Sequence, residues 1–177
     1  MLQNYNRWRV LRIFFDNPLT QGLQLREISR KINLAPPSVK KYLEELEEEQ
    51  FISFKKSRVQ NFPIYFANRD NEKFKYYKKI DLQERINSTG LLKFLDDTLL
   101  PNVIVLFGSG SKGEDTELSD IDFFISSKSK TLNLTRYEKK LQRKINIIFE
   151  PDFNKISKEL KNNILNGIPL SGYIKVF

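Results

Sequence analysis

The sequence predicts an α+β chain in two parts, a small helical unit followed by a small mixed-sheet unit. Three observations lead there. Three amphipathic helical stretches and then two β-type runs fill Asn6–Phe66. From Val103 onward the order is strand, strand, helix, strand, helix, which fits a mixed sheet with helices packed on it. Between the two parts lies Asp70–Leu100, a basic and aromatic join.

In the first part, Asn6–Phe15 has helical spacing, with Trp8, Leu11 and Phe15 on one side and Arg7, Arg9 and Arg12 interleaved. Asp16-Asn17-Pro18 stops it. Leu25–Ile32 is a second helix whose core face is Leu25, Ile28 and Ile32. Asn33–Pro37 turns the chain, and proline suits the first turn of a third helix running from Pro36 or Pro37 to about Gln50. Its inward stripe is Val39, Tyr42, Leu43 and Leu46. Phe51–Phe54 and Pro63–Phe66 are β-type runs joined by a basic and polar stretch, Lys55–Arg58.

In the join, Lys73, Lys75, Lys78 and Lys79 alternate with Phe74, Tyr76 and Tyr77, which predicts an exposed amphipathic helix with aromatic anchors. Such interleaving can bind single-stranded nucleic acid, but a connecting helix packing on both domains is favoured. Gly90–Leu100 reads as the helix before the next strand, ended by Pro101-Asn102. Val103–Phe107 is an apolar strand that turns at Gly108-Ser109 into a Gly- and Ser-rich loop. A second strand then begins at Asp120. Ser126–Asn133 reads as a mobile polar loop, Thr135–Arg143 as a basic helix and Lys144–Phe149 as a strand. Phe153–Leu165 reads as one amphipathic helix and Ile168–Phe177 as a last short strand.

Composition narrows the chemistry. The chain has 177 residues, 40% of them hydrophobic. Its mean hydropathy is −0.48. No apolar run approaches the roughly 18–20 residues that span a bilayer, and the N-terminus lacks a small-residue cleavage site. These features read as a soluble, cytoplasmic protein with no membrane partner. Cysteine and histidine are absent. That excludes disulfides, thiolate catalysis, Cys- or His-ligated zinc and imidazole acid–base chemistry. Carboxylates, lysines, hydroxyls and a hard metal ion are left. A net charge of +8 points to a polyanionic partner, nucleic acid or nucleotide phosphate.

The densest chemical signal is Val103–Ile125, VIVLFGSGSKGEDTELSDIDFFI. A backbone without Cβ at Gly108 can approach a phosphate, and the Ser109 and Ser111 hydroxyls can donate to its oxygens. Ten residues after Ser109 come Asp120 and Asp122. Residues i and i+2 of a strand share a face about 6.5–7 Å apart, so the two carboxylates form a hard-oxygen pair suited to Mg²⁺. Ile121 and Phe123 then point to the packed face. Glu114, Asp115 and Glu117 crowd the loop and are expected to face solvent, since they would repel a triphosphate.

An apolar strand, Gly-Ser, about ten residues and then Asp-apolar-Asp resembles the signature of the DNA polymerase beta-like nucleotidyltransferase superfamily. The likeness to the small prokaryotic, minimal type is closer: Gly108-Ser109 with Gly113, then Ser119-Asp120-Ile121-Asp122. Three helices followed by a ribbon with a basic tip resemble the winged helix-turn-helix family over Tyr5–Asn68. The expected architecture is therefore an N-terminal winged helix-turn-helix domain (1–69), a helical linker (70–87) and a small mixed-sheet nucleotidyltransferase α/β domain (88–177).

The first resemblance implies Mg²⁺-dependent transfer of a nucleoside monophosphate from an NTP to a hydroxyl. Asp120 and Asp122 would be catalytic metal ligands; Gly108, Ser109, Ser111, Lys112 and Ser119 would bind the nucleotide. The acceptor would be a protein, an RNA end or a small molecule, and relatives of the minimal type that act as antitoxins modify a partner toxin. Active members carry a third carboxylate on the next strand, and the matching position here is Asn146, an amide that cannot accept a proton. Glu150, four residues on, lies about 13 Å along the strand. The second resemblance implies that Ser38, Lys40 and Lys41 face the major groove of double-stranded DNA and that Lys55, Lys56 and Arg58 touch phosphates. The acidic run Glu44–Glu49 would repel DNA if it faced it. Three functions compete: a nucleotidyltransferase, an NTP-sensing DNA-binding regulator or antitoxin, and a structural interaction or homodimerisation module.

Overall fold

A computed structural model describes residues 5–56 and 62–175 of the chain. They form two compact units, Met1–Lys78 and Lys79–Phe177.

The first unit contains α1 (Asn6–Asp16), β1 (Leu23–Gln24), α2 (Leu25–Ile32), α3 (Pro36–Glu48), β2 (Ile52–Lys56) and β3 (Pro63–Ala67). Burial on α1 is broader than the expected stripe, because Val10, Ile13 and Phe14 are buried along with Trp8, Leu11 and Phe15. The helix ends where the Asn17 backbone N–H and side-chain amide both donate to the Ile13 carbonyl, at 3.1 and 2.9 Å. Asn33, in the left-handed conformation at φ 51°, ends α2. Pro36 opens α3. The three strands pair antiparallel in the order β1-β3-β2. The two-residue β1 has no signal in the sequence. It buries Leu23 where Leu25 was expected to carry the core face, and Leu25 is half-buried. Gly22 before it sits at φ +102°, and a Cβ there would run into the Ile64 and Phe66 side chains, so only glycine fits.

Helix α4 (Glu72–Ser88) spans the expected linker, and the division between the units falls within it. In the first unit Phe74 packs edge-on against Phe15 at 5.0 Å, and Tyr77 packs against Trp8 and Phe51. Phe74 is fully buried, so Phe74 and Tyr77 act as the aromatic anchors that the sequence predicts.

The second unit continues with α5 (Leu91–Leu99), β4 (Val103–Phe107), α6 (Gly108–Lys112) and β5 (Ile121–Ile125). It closes with α7 (Thr135–Leu141), β6 (Ile145–Phe149), a 3₁₀ turn (Phe153–Lys155), α8 (Lys158–Leu165) and β7 (Ile168–Gly172). The expected single helix over Phe153–Leu165 is thus two pieces. Extended Ile156 separates them, and the Ser157 hydroxyl accepts from the Leu160 N–H to cap α8. The sheet order is β6-β5-β4-β7. β4 is antiparallel to β5 and β7, whereas β5 and β6 are parallel, with α7 in the crossover between them. One face carries Ile104, Leu106, Ile121, Phe123 and Ile125 under Leu82, Ile86, Leu91, Leu95, Tyr137 and Leu141. The other carries Val103, Val105 and Phe124 under Phe153, Ile156 and Ile164. Two covered faces explain why β4 reads as a continuous apolar run rather than an alternating one. Among the described residues no helix is long and apolar enough to cross a membrane.

Candidate functional site

The second face of the sheet is apolar only over part of its length. At the other end, where β4 leaves the sheet and β5 enters it, Asp122 pairs with Phe107 on one side and Asn146 on the other. Phe107 is extended and Gly108 follows at φ +71°, so the chain turns straight from β4 into α6. The Gly- and Ser-rich stretch expected to be a loop is therefore partly a short helix. A Cβ on Gly108 would lie 2.6 Å from Asp122 Oδ2. Glycine is needed here twice over, for the left-handed backbone and for the close approach of a carboxylate.

The expected site residues divide. Gly108 and Ser109 are half-buried, Gly108 against Asp122, and Lys112 is exposed at the end of α6. Ser111 is buried, and its hydroxyl donates to the Gly108 carbonyl at 2.8 Å. Ser119 accepts from the Thr116 N–H at 2.9 Å, which closes the 116–119 turn. Both hydroxyls are thus engaged within the protein.

Asp115 departs from expectation. Glu114 and Glu117 are exposed, but Asp115 is buried, its Oδ2 accepting from Arg143 Nη1 at 2.6 Å. Arg143 also donates from Nε to the Ser119 carbonyl at 2.7 Å and from Nη2 to the Asp120 carbonyl at 2.9 Å. The fixed fork of a guanidinium serves three acceptors along one six-residue stretch. Arg143 thereby sets where the backbone of Asp120 lies. Nothing in the local sequence marks it, since it looks like one more cation in a basic helix.

Asp120 lies just ahead of β5, which starts at Ile121 rather than at the aspartate itself. The Asn146 amide donates from Nδ2 to Asp120 Oδ2 at 3.0 Å and to Asp122 Oδ1 at 3.2 Å. Two oxygens from two carboxylates therefore converge on one point, with a neutral donor at it. Among the described residues no ion pair reaches either aspartate, and no group of three or more acidic, His or Cys side chains gathers to hold a metal. The donor set suits Mg²⁺: two hard carboxylate oxygens, and an amide whose oxygen can supply a third. Asp120, Asp122 and Asn146 are the residues that would hold it. Glu150 is not among them. Its backbone N–H donates to the Ile125 carbonyl at the far end of β5, and its Oε1 accepts from the Asp152 N–H at 3.0 Å.

In the first unit, Ser38, Lys40 and Lys41 are exposed early in α3, with Lys40 Nζ 3.6 Å from Glu44. Lys55 and Lys56 are exposed at the end of β2, and Arg58 lies outside the described residues. Two carboxylates of the acidic run are tied within the unit, while Glu44, Glu47 and Glu48 are exposed. Glu45 and Glu49 pair with Arg7, and Lys73 donates to Glu49 at 3.0 Å. The Lys73 hydrogen bond holds the Glu49 carboxyl below its ordinary pKa, helped by the Arg7 charge and opposed by partial desolvation.

Residues 89–171 match the family model described as nucleotidyltransferase domain. Residues 3–53 match the one described as winged helix-turn-helix DNA-binding. The chain thus joins a nucleotidyltransferase domain with a mixed sheet to an N-terminal winged helix-turn-helix. No curated protein matches it. Among solved structures it is similar to Staphylococcus aureus MarR in complex with salicylate and kanamycin, with 21% identity and a TM-score of 0.39. The match covers 50% of this chain and 57% of that one.

Proposed function

We propose that the nucleotidyltransferase domain binds a nucleoside triphosphate with Mg²⁺ at the corner made by Gly108, Ser109, Asp120 and Asp122, and that the winged helix docks the chain on double-stranded DNA. The protein is then an NTP-responsive DNA-binding regulator. The observation that carries this reading is the convergence of Asp120 Oδ2 and Asp122 Oδ1 on one point, while the other Asp122 oxygen, Oδ2, faces Gly108. Bound Mg²⁺ would neutralise triphosphate charge there. Gly108 lets Asp122 lie close against the turn, Ser109 offers a hydroxyl, and exposed Lys112 adds a cation.

Asn146 decides between sensing and transfer. At the position of the family's third carboxylate it offers an amide, which cannot take the proton of an attacking hydroxyl. This favours binding without efficient turnover. The second reading is transfer. An acceptor hydroxyl on a protein (a partner toxin included) or an RNA end attacks the α-phosphorus, the bond to the β-phosphate oxygen breaks, and pyrophosphate leaves. The hydroxyl proton must then go to a base on the acceptor or a partner. The paired aspartates favour this reading.

Thermal unfolding with Mg²⁺ and each NTP tests the binding step. At about 100 times its Kd a ligand stabilises the folded state by about 2.7 kcal/mol, and no Mg²⁺-dependent shift would remove the nucleotide reading. Incubation with α-labelled NTP then separates the two, because label on any acceptor favours transfer. For the winged helix, duplex affinity should fall with salt. Replacing Lys55 or Lys56 by alanine should each reduce the log–log slope by about 0.9.

A further inference from the structure

We infer that Asn146 is a two-position gate on the carboxylate pair, an inference that rests on the Mg²⁺–NTP reading of this corner. With no cation bound, its NH₂ holds Asp120 and Asp122 together; with Mg²⁺ and nucleotide bound, the amide is turned over and presents Oδ1.

Like charges sharing a site repel, and something must offset that repulsion when no cation is present. An amide NH₂ carries two hydrogens, and those of Asn146 reach one oxygen of each aspartate, at 3.0 and 3.2 Å. The same arrangement closes the site. The nitrogen's lone pair is delocalised into the carbonyl, so Nδ2 cannot ligate a cation, and it sits where the two carboxylate oxygens converge. A turn of about 180° about the terminal side-chain torsion exchanges Nδ2 for Oδ1 at almost no change in volume. Only those two hydrogen bonds oppose the turn, and a cation taking their place removes them. Asn146 is exposed on β6, which is an edge strand, and among the described residues its side chain makes no other hydrogen bond. Aspartate in its place would have no hydrogen to give, and three carboxylates would depend on a cation to stay together. Asparagine therefore gives up metal affinity for a cation-free state that is stable, a property suited to a site that responds to its ligand.

The test uses the full chain, ¹⁵N-labelled. The side-chain NH₂ pair of Asn146 is assigned by its loss in Asn146→Ala and followed while Mg²⁺ and each NTP are added. The expected result is a saturable shift of that pair with Mg²⁺ and nucleotide together. In parallel, Asn146→Asp should have a lower Tm than wild type in EDTA and bind Mg²⁺ about tenfold more tightly. If Asn146→Asp does not fold without metal, Asn146→Ala carries the same comparison: a lower Tm in EDTA with no gain in Mg²⁺ affinity. Two results overturn the gate while leaving the nucleotide reading intact. One is Mg²⁺–NTP binding with the NH₂ pair unmoved; the other is variants whose Tm in EDTA equals that of wild type. If no resonance of the second unit responds to Mg²⁺ and NTP, the nucleotide reading falls and the gate falls with it.

Discussion

Asp115 and the pair Asp120/Asp122 lie on one short stretch of chain and have opposite partners. Asp115 is buried against the guanidinium of Arg143, which also binds the carbonyls of Ser119 and Asp120. Asp120 and Asp122 remain accessible and share one neutral amide. A full cationic partner in a buried place makes a carboxylate structural, because its charge is compensated and its geometry fixed. A neutral partner leaves the charge of two carboxylates for something else to meet. The same residue type therefore serves as scaffold at one position and as candidate ligand two strides along the chain.

The largest effect should come from breaking the scaffold side. Arg143→Ala removes the cation from buried Asp115, which should cost about 3–5 kcal/mol in urea unfolding. Arg143→Lys should recover only part of it, since an ammonium cannot reproduce the three-way fork. On the ligand side, the double variant Asp120→Asn/Asp122→Asn should do the reverse. Its metal-free stability should stay within about 1 kcal/mol of wild type, because mutual repulsion is relieved. Its Mg²⁺-dependent nucleotide stabilisation, about 2.7 kcal/mol at 100 times Kd, should vanish.

Gly108→Ala falls between these. A side chain forced to φ +71° and pushed against Asp122 Oδ2 should cost about 1–3 kcal/mol and weaken nucleotide binding as well. Differential unfolding with and without Mg²⁺–NTP separates the two losses.

The smallest effect concerns an exposed ionic cluster of the first unit, where Glu49 meets Lys73 and Arg7. Its folded-state pKa lies below the ordinary 4.5. Its stabilisation is therefore fully present above about pH 4.5 and is lost as the pH falls through the lower folded value. Glu49→Gln should flatten this acid limb of the stability curve only slightly, because solvent screens the cluster. An unchanged limb would mean that exposed pairs here add nothing, and that burial alone distinguishes Asp115–Arg143.

Much of the fold was legible because it is written in local order. Helical spacing placed α1, α2 and α3 almost to their ends, and proline marked the start of α3. Apolar runs located β4, β5 and β6, and the Gly-Ser turn followed by Asp-Ile-Asp located the corner between two consecutive strands. Where local patterns are weak, tertiary partners and single caps decide the element instead. Two-residue β1 exists only because β3 offers it a partner, and the break before α8 depends on one serine cap.

What the sequence determined by itself is therefore the inventory: two units, a glycine turn, two carboxylates two residues apart, and no histidine or cysteine to support another chemistry. Only the tertiary structure decided which charges meet. Arg143 reaches back to Asp115 across an intervening strand and helix, and the parallel register of β5 and β6 sets Asn146 against Asp120 and Asp122. Periodicity is a property of neighbours along the chain, whereas an ion pair or a shared hydrogen bond depends on distances that exist only once the sheet has formed.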